Sequence, residues 1–206
     1  MKRLRPYGWL LVGAGAILLL IPPATIAYAT WQESSLTQQW EAQLPVQAQH
    51  APTPTSPIPV AERFAQPAPP RLGAVAFVLK IPRLGYDAAV REGVSSSVLS
   101  FGPGHYPTPP NPGQPGDVGV AAHNTYWLGF GAVKPGDRIV LATSYGGYTY
   151  IVTGTRIVAP DETWVLNRPG GSKLTLTTCW PLWAGALARQ RLAIFAQLSQ
   201  KPGLEA

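Results

Sequence analysis

The sequence contains few of the residues from which disulfide and metal sites are built. Its 206 residues include one cysteine and three histidines, His50, His105 and His123. A single thiol cannot form an intrachain disulfide, and ligands this widely spaced do not match a zinc-type cluster. The acidic residues are too scattered for a calcium site, and no phosphate-binding loop is found. We therefore predict neither a metal nor a cofactor.

Charged residues are also scarce, at 13% of the chain, and the formal net charge is +6. Lys2, Arg3 and Arg5 supply three of the cations, and the others are dispersed. Because no basic run is interleaved with aromatic residues, nucleic acid is not an expected partner. A basic surface close to a membrane or an anionic cell wall is the better interpretation.

The N-terminal segment predicts membrane insertion. Residues 7–29 carry no charge, and a helix of that length spans the roughly 30 Å hydrocarbon core of a bilayer. The preceding cations should stay in the cytoplasm, which places the rest of the chain outside the cell. We expect a retained single-pass anchor within residues 1–30. The alternative is a cleaved signal peptide that ends at the small-residue motif of residues 27–29.

Two further segments separate the anchor from the folded domain. Residues 30–44 have the composition of a short helical extension. Residues 45–70 are rich in proline and poor in core-forming residues, as expected of a semi-rigid spacer. We therefore divide the chain into an anchor at 1–30, an extension and spacer at 31–71, and a folded domain at 72–206.

The folded domain has the pattern of an all-β protein. Short apolar or alternating runs, separated by turn residues, lie at 74–81, 117–123, 137–144, 148–159, 173–180 and 191–198. Gly146 and Gly147 predict a hairpin before the fourth run. No long run has helical periodicity, and only residues 94–102 could form a helical turn or two. The spacing favours a β-sandwich or a barrel.

The single cysteine lies at the end of a predicted strand, in the stretch "TLTTCWP". Alternation along a strand places Thr175, Thr177 and Cys179 on one face. If this strand pairs antiparallel with the last one, Arg191 begins close to where Cys179 ends. His123 ends a strand of its own. A lone cysteine of this kind is by default a buried small apolar residue, so only its neighbours can indicate chemistry.

The cysteine motif and four other stretches carry a family resemblance. "TLTTC" resembles the signature of sortases, the cysteine transpeptidases that attach proteins to bacterial cell walls or build pili. Residues 81–107, 112–125, 133–141 and 191–196 resemble other sortase segments in the same order. The sequence differs from the usual pattern at Ala122, where glycine is common, and at Asn124, where arginine often follows the histidine. Pro181, two positions after the cysteine, is similar to class E and, less closely, to class D sortases.

The resemblance implies a fold and a set of roles. It implies a closed β-barrel of about eight strands with short helices. It implies Cys179 as the nucleophile, His123 as the group that protonates the leaving amine, and Arg191 as the ligand of the oxyanion or of a substrate carbonyl. Arg189 is the alternative arginine and a candidate substrate-binding residue, and Thr178 is a candidate for substrate positioning.

The resemblance also implies partners. The substrate would be a secreted protein with a C-terminal LPxTG-like or LAxTG-like sorting signal, cleaved between Thr and Gly. The acceptor would be an amine of a peptidoglycan precursor or a pilin lysine. Two other functions stay open: a secreted cysteine hydrolase that uses water, and a non-catalytic barrel that binds sorting signals.

Other polar and aromatic residues have plainer interpretations. His105 lies among glycines and prolines and is expected to be structural. Asp117 fits a turn, although it could complete a Cys-His-Asp triad. Trp127, Trp180 and Trp183 are expected in the core or in the wall of a groove.

Overall fold

The computed structural model describes residues 11–12, 34–35, 37–40, 42, 70–107 and 110–200. The predicted anchor at 7–29 lies outside these residues apart from two positions, and the spacer at 45–70 lies outside them apart from its last. Among the residues described, no helix combines the length and the apolar character that a membrane crossing requires. The described part of the helical extension is helical, in agreement with the sequence.

Eight strands close into a barrel. They are β1 (Val75–Ile81), β2 (Tyr86–Glu92), β3 (Gly104–His105), β4 (Gly116–Ala122), β5 (Arg138–Thr143), β6 (Gly146–Val158), β7 (Ser172–Trp180) and β8 (Gln190–Gln200). Their order around the barrel is β1-β2-β3-β4-β7-β8-β6-β5. The pairs β2–β3 and β4–β7 are parallel, and the others are antiparallel.

Short helices occupy the connections. One is the α-helix α1 (Ser96–Leu99), within the stretch where the sequence predicted a helical turn. The others are 3-10 helices at Pro82–Leu84, Leu128–Ala132, Thr163–Leu166 and Leu182–Leu187. The prediction of an all-β closed barrel with short helices is therefore confirmed for the described domain.

Two strands and one turn of the structure differ from the sequence prediction. β2 was missed because its inward-facing side chains include the small Ala88 beside Val90, so its apolar signal is weak. β3 has two residues, too few for any period. The predicted hairpin exists, but Ser144 and Tyr145 form the turn, and the Gly146–Gly147 pair begins β6.

The barrel interior is apolar and closely packed. It contains Phe77, Leu79, Val118, Val120, Leu174, Leu176 and Ile194, each at most 1% exposed. Trp127 is fully buried and stacks on Phe130 with ring centroids 4.4 Å apart, so its predicted place in the core is confirmed. Burial of large side chains at this level supplies about 1.5–3 kcal/mol each.

The helical extension reaches the barrel. The backbone N–H of Ala89, in β2, donates to Oγ1 of Thr37 at 2.9 Å. β2 pairs with β3 only at Arg91 and Glu92, so this hydroxyl satisfies a donor that the short neighbouring strand does not reach.

Candidate active site

Three neighbouring strands bring the predicted catalytic residues to one end of the barrel. β4 and β7 are parallel, with Ala122 opposite Thr178, so His123 and Cys179 follow directly from a paired position. β7 and β8 are antiparallel, with Cys179 opposite Arg191. Neighbouring strands lie about 4.8 Å apart, so the cysteine backbone has the histidine on one side and the arginine on the other.

The thiol faces outward from the barrel. Leu174 and Leu176 point into the core, whereas Cys179 belongs to the alternate set with Thr175 and Thr177, as predicted. Cys179 is free and half-buried. Cys179 is therefore not fully buried in the core, which is the default expectation for a lone cysteine.

His123 is exposed, and Arg191 is half-buried. Arg191 Nη1 donates to the carbonyl of Gln190 at 3.2 Å. A guanidinium has five donors, so this bond leaves others for a substrate oxygen. Arg189 is exposed and precedes β8, whereas Arg191 is in register with the cysteine. The register favours Arg191 over Arg189 as the arginine beside the thiol.

Thr178 has a different position from the other three. It is 3% exposed, and its Oγ1 donates to the carbonyl of Ala122 at 2.9 Å. The bond ties the residue before Cys179 to the residue before His123. The hydroxyl proton is thus used within the fold, and the substrate-positioning role of Thr178 stays a prediction.

An open cavity of about 470 Å³ lies farther along the outer face of β4. Its lining includes Tyr106, Gly119 and Leu166. A Cβ at position 119 would lie 2.7 Å from Tyr106 Cδ2 and 3.1 Å from Leu166 Cδ2. A side chain at this position would therefore crowd the cavity, and glycine leaves it open. Gly119 is four residues from His123 on the same face, which is about 13 Å along the strand.

A family model described as the Sortase domain matches residues 79–199. The chain belongs to the sortase family. The predicted family is confirmed, and sortases as a family are cysteine transpeptidases. The match includes every residue assigned above to the candidate site.

Individual relatives agree with this assignment. Sortase D of Bacillus subtilis (strain 168) is 30% identical over 130 residues, which cover 62% of this chain and 66%, just under two thirds, of that relative. The structure of sortase E from Streptomyces avermitilis is 31% identical with a TM-score of 0.56, covering 64% of this chain and 91% of that one.

A third relative supports the fold alone. The structure of a Clostridium perfringens Sortase D5 transpeptidase is 23% identical with a TM-score of 0.57, covering 61% of this chain and 79% of that one. Relatives from classes D and E both match, so the predicted subclass stays open between them.

A buried ion pair holds the β6–β7 loop of this sortase onto the barrel. Arg168 donates from Nε to Asp117 Oδ2 at 2.8 Å and from Nη2 to Oδ1 at 3.1 Å. The same carboxylate accepts from Thr175 Oγ1 at 2.9 Å. Arg168 also lies 4.7 Å above the ring of Phe195. Asp117 therefore lies in strand β4 and pairs with Arg168. The predicted turn position is wrong, and the carboxylate is not the third member of a triad with His123.

The same loop is organised internally. The backbone N–H of Ala159 donates to Glu162 Oε1 at 3.0 Å, and Trp164 Nε1 donates to Oε2 at 2.6 Å. These two bonds hold the pKa of Glu162 below its usual value. Arg168 has no recognisable sequence signal, because its stretch has the composition of an ordinary turn.

His105 is structural, as predicted, although it lies in a strand and not in a loop. It is 2% exposed, and its Nδ1 is 2.9 Å from Glu92 Oε2. The ring packs edge-on against Phe77 at 5.5 Å between centroids. Its register partner is Val120, three residues before His123.

The segment between Cys179 and Arg191 forms an apolar rim. Trp183 is 82% exposed and Leu187 is 80% exposed, whereas Leu182 is buried against the core. Trp180 is half-buried at the core margin. The part of the chain that the structure describes contains no group of three or more His, Cys, Asp or Glu residues that could hold a metal.

Proposed function

We propose that this sortase cleaves an LPxTG-like or LAxTG-like sorting signal between Thr and Gly and transfers the acyl group to an amine. The observation that supports the proposal is the strand register. It places Cys179 between His123 and Arg191 at one end of the barrel, with the thiol on the outer face. The acceptor is an amine of a peptidoglycan precursor or a pilin lysine.

The first half of the reaction is acyl transfer to sulfur. The Cys179 thiolate attacks the carbonyl carbon of the substrate threonine and forms a carbon–sulfur bond. Arg191 donates hydrogen bonds to the oxyanion that develops. The carbon–nitrogen bond then breaks, and the imidazolium of His123 gives its proton to the leaving glycine amine. The product of this half is a thioester on Cys179.

The second half regenerates the enzyme. The acceptor amine attacks the thioester carbonyl, and neutral His123 takes the proton that the amine releases. The carbon–sulfur bond breaks, and the sulfur leaves as the thiolate while a new amide forms. Water in place of the amine would give hydrolysis by the same steps.

The cavity beside Gly119 fits the apolar end of the signal. In an extended peptide, the leucine three residues before the threonine lies about 10 Å from it. That distance reaches along β4 from Cys179 toward the surface that contains Tyr106 and Leu166. This arrangement supports a peptide lying along the outer face of β4 and β7.

The proposal includes a location. The uncharged residues 7–29 would anchor the chain in the cell membrane with the N-terminus in the cytoplasm. The barrel would then lie outside, where it meets secreted proteins and wall precursors.

The experiment incubates the purified full-length chain with sorting-signal peptides and an added amine, and identifies products by mass spectrometry. We expect an amide product from the wild type and none from Cys179→Ala or His123→Ala. Hydrolysis without an amide product would favour the cysteine hydrolase. Binding without cleavage would favour the non-catalytic barrel, and either result would contradict transpeptidation.

A further inference from the structure

Asn124, the residue directly after His123, is buried and hydrogen-bonded to the segment that follows Cys179. It is 4% exposed. Its Nδ2 donates to the carbonyl of Gly185 at 3.2 Å and, at 3.4 Å, to that of Pro181. One side-chain amide therefore joins the end of β4 to the connection between β7 and β8.

The segment that accepts these bonds is irregular and largely exposed. It contains the 3-10 helix Leu182–Leu187, in which Gly185 departs from helical geometry with φ 52° and ψ −128°. Leu182 packs into the core, but Trp183 and Leu187 are exposed. The bonds from Asn124 hold the segment at its first residue and at its irregular position.

Hydrogen bonds from two side chains, those of Thr178 and Asn124, thus lie on either side of the proposed catalytic pair. Thr178 binds the carbonyl of Ala122, one residue before His123, from one residue before Cys179. Asn124, one residue after His123, binds carbonyls two and six residues after Cys179. The bond from Thr178 fixes the separation of the strand ends, and the two bonds from Asn124 fix the chain beyond them.

We propose that Asn124 is a positioning residue for the transpeptidation, which keeps the imidazole of His123 opposite Cys179 by holding the β7–β8 connection against the end of β4. This inference rests on the proposed roles of His123 and Cys179. Asn124 does not touch the reacting atoms in this account. It acts through His123, so its loss should matter only where His123 acts.

The test is a double-mutant cycle read by thiol alkylation. Iodoacetamide modifies Cys179 in full-length wild type, Asn124→Ala, His123→Ala and the double variant between pH 5 and 9. Misplacement of a catalytic group by about 1 Å can cost about 100-fold in rate. We expect Asn124→Ala to lower kcat for peptide cleavage by about 10- to 100-fold with little change in KM. Its alkylation profile should approach that of His123→Ala.

The decisive comparison is the double variant. If Asn124 acts through His123, the double variant alkylates no more slowly than His123→Ala alone. Asn124→Gln keeps the amide donors and should recover most of the lost rate. If Asn124→Ala does not fold, Asn124→Ser, which is polar but too short to reach either carbonyl, carries the same prediction.

Thr143→Val is the matched control. Thr143 is 1% exposed and donates from Oγ1 to the carbonyl of Gly146 at 2.7 Å, in the β5–β6 turn. Gly146 begins β6, whereas Val158, at the other end of that strand, pairs with Arg191. The control therefore removes a buried side-chain bond to a turn at the opposite end of the barrel, and alkylation should be unchanged.

A purely structural role predicts other results. An Asn124→Ala variant with the wild-type alkylation profile and kcat, and only the lower melting temperature of Thr143→Val, would overturn the proposal. Additive losses in the double variant would also overturn it. Retained cleavage by Cys179→Ala or His123→Ala would instead contradict the proposed function, so the two failures are distinguishable.

Discussion

At the scale of single residues, the candidate site depends on where three side chains leave the sheet. Cys179 is half-buried on the outer face, and His123 is exposed at the end of the adjacent parallel strand. Arg191 is opposite the cysteine on the other neighbouring strand. In the proposed acyl transfer, the thiol, the imidazole and the guanidinium act as nucleophile, proton donor and oxyanion ligand.

The two arginines of this region should differ in their effect on catalysis. Arg191→Ala should lower kcat by about 10²–10³-fold, because a donor to the oxyanion is lost. Arg191→Lys should recover only part, since an ammonium lacks the planar fork of donors. Arg189→Ala should change kcat little. Steady-state kinetics of peptide cleavage measure kcat for each variant. A larger loss of kcat in Arg189→Ala than in Arg191→Ala would contradict the prediction and assign the oxyanion role to Arg189.

Sequence alone identified the site residues whose signal is local. Cys179 lies in a recognisable five-residue motif, and His123 and Arg191 lie in resembling stretches. Arg168 could not be found in this way, since its partner Asp117 is 51 positions away and only the barrel brings the two together. Asn124 was visible as a departure from the family pattern, but its acceptors are 57 and 61 positions away.

At the scale of secondary-structure elements, the β6–β7 loop forms one side of the cavity and is attached through Arg168. The side chains of Asp117 and Arg168 are 2% and 16% exposed, so the pair is largely withdrawn from water. Arg168 Nη2 also donates to the carbonyl of Leu174, in β7, at 3.0 Å. The guanidinium is therefore one attachment of the loop, beside the packing of Val165 against Val158 and Ala193.

Removing one partner of this pair should be costly. Arg168→Met leaves the Asp117 carboxylate buried without its cation, which should lower the free energy of unfolding by about 3 kcal/mol. The double variant Asp117→Leu with Arg168→Met removes both charges and should recover much of that loss. Urea unfolding measures both variants. An Arg168→Met protein as stable as the wild type would show that the pair contributes nothing to the attachment.

The strands show which elements a sequence can reveal. Apolar and polar residues alternate in β7, and β8 contains a continuous apolar run. Both strands were therefore predicted nearly to their ends. β2 contains two alanines and three charged residues, and β3 contains two residues, so neither has a usable period. Both are held by strand pairing, β2 with β1 and β3 between β2 and β4.

At the scale of the whole molecule, the barrel closes where β1 meets β5. Lys80 of β1 pairs with Val140 of β5. Just beyond this pairing, Arg83 donates from Nε to Asp137 Oδ1 at 2.5 Å and from Nη2 to Oδ2 at 2.6 Å. The guanidinium holds the pKa of Asp137 below its usual value.

The ion pair between Arg83 and Asp137 predicts a pH dependence of stability. Because folding lowers the pKa of Asp137, its contribution is complete above the unfolded value of about 3.9 and is lost as the pH falls through the lower native value. The melting temperature of Asp137→Asn should therefore lie below that of the wild type at pH 7. The difference should persist to about pH 5 and shrink below about pH 4. An equal difference at pH 7 and at pH 3 would contradict this assignment.

In the proposed reaction Cys179 forms a thioester with the sorting signal, and intact-mass spectrometry detects this intermediate. The full-length chain is incubated with a sorting-signal peptide without an added amine, quenched in acid and digested to locate the modification. We expect Cys179 to gain the mass of the peptide fragment that ends at threonine. The Cys179→Ala variant should show no such adduct. Undiminished peptide cleavage by Cys179→Ala, or an adduct on another residue, would contradict it.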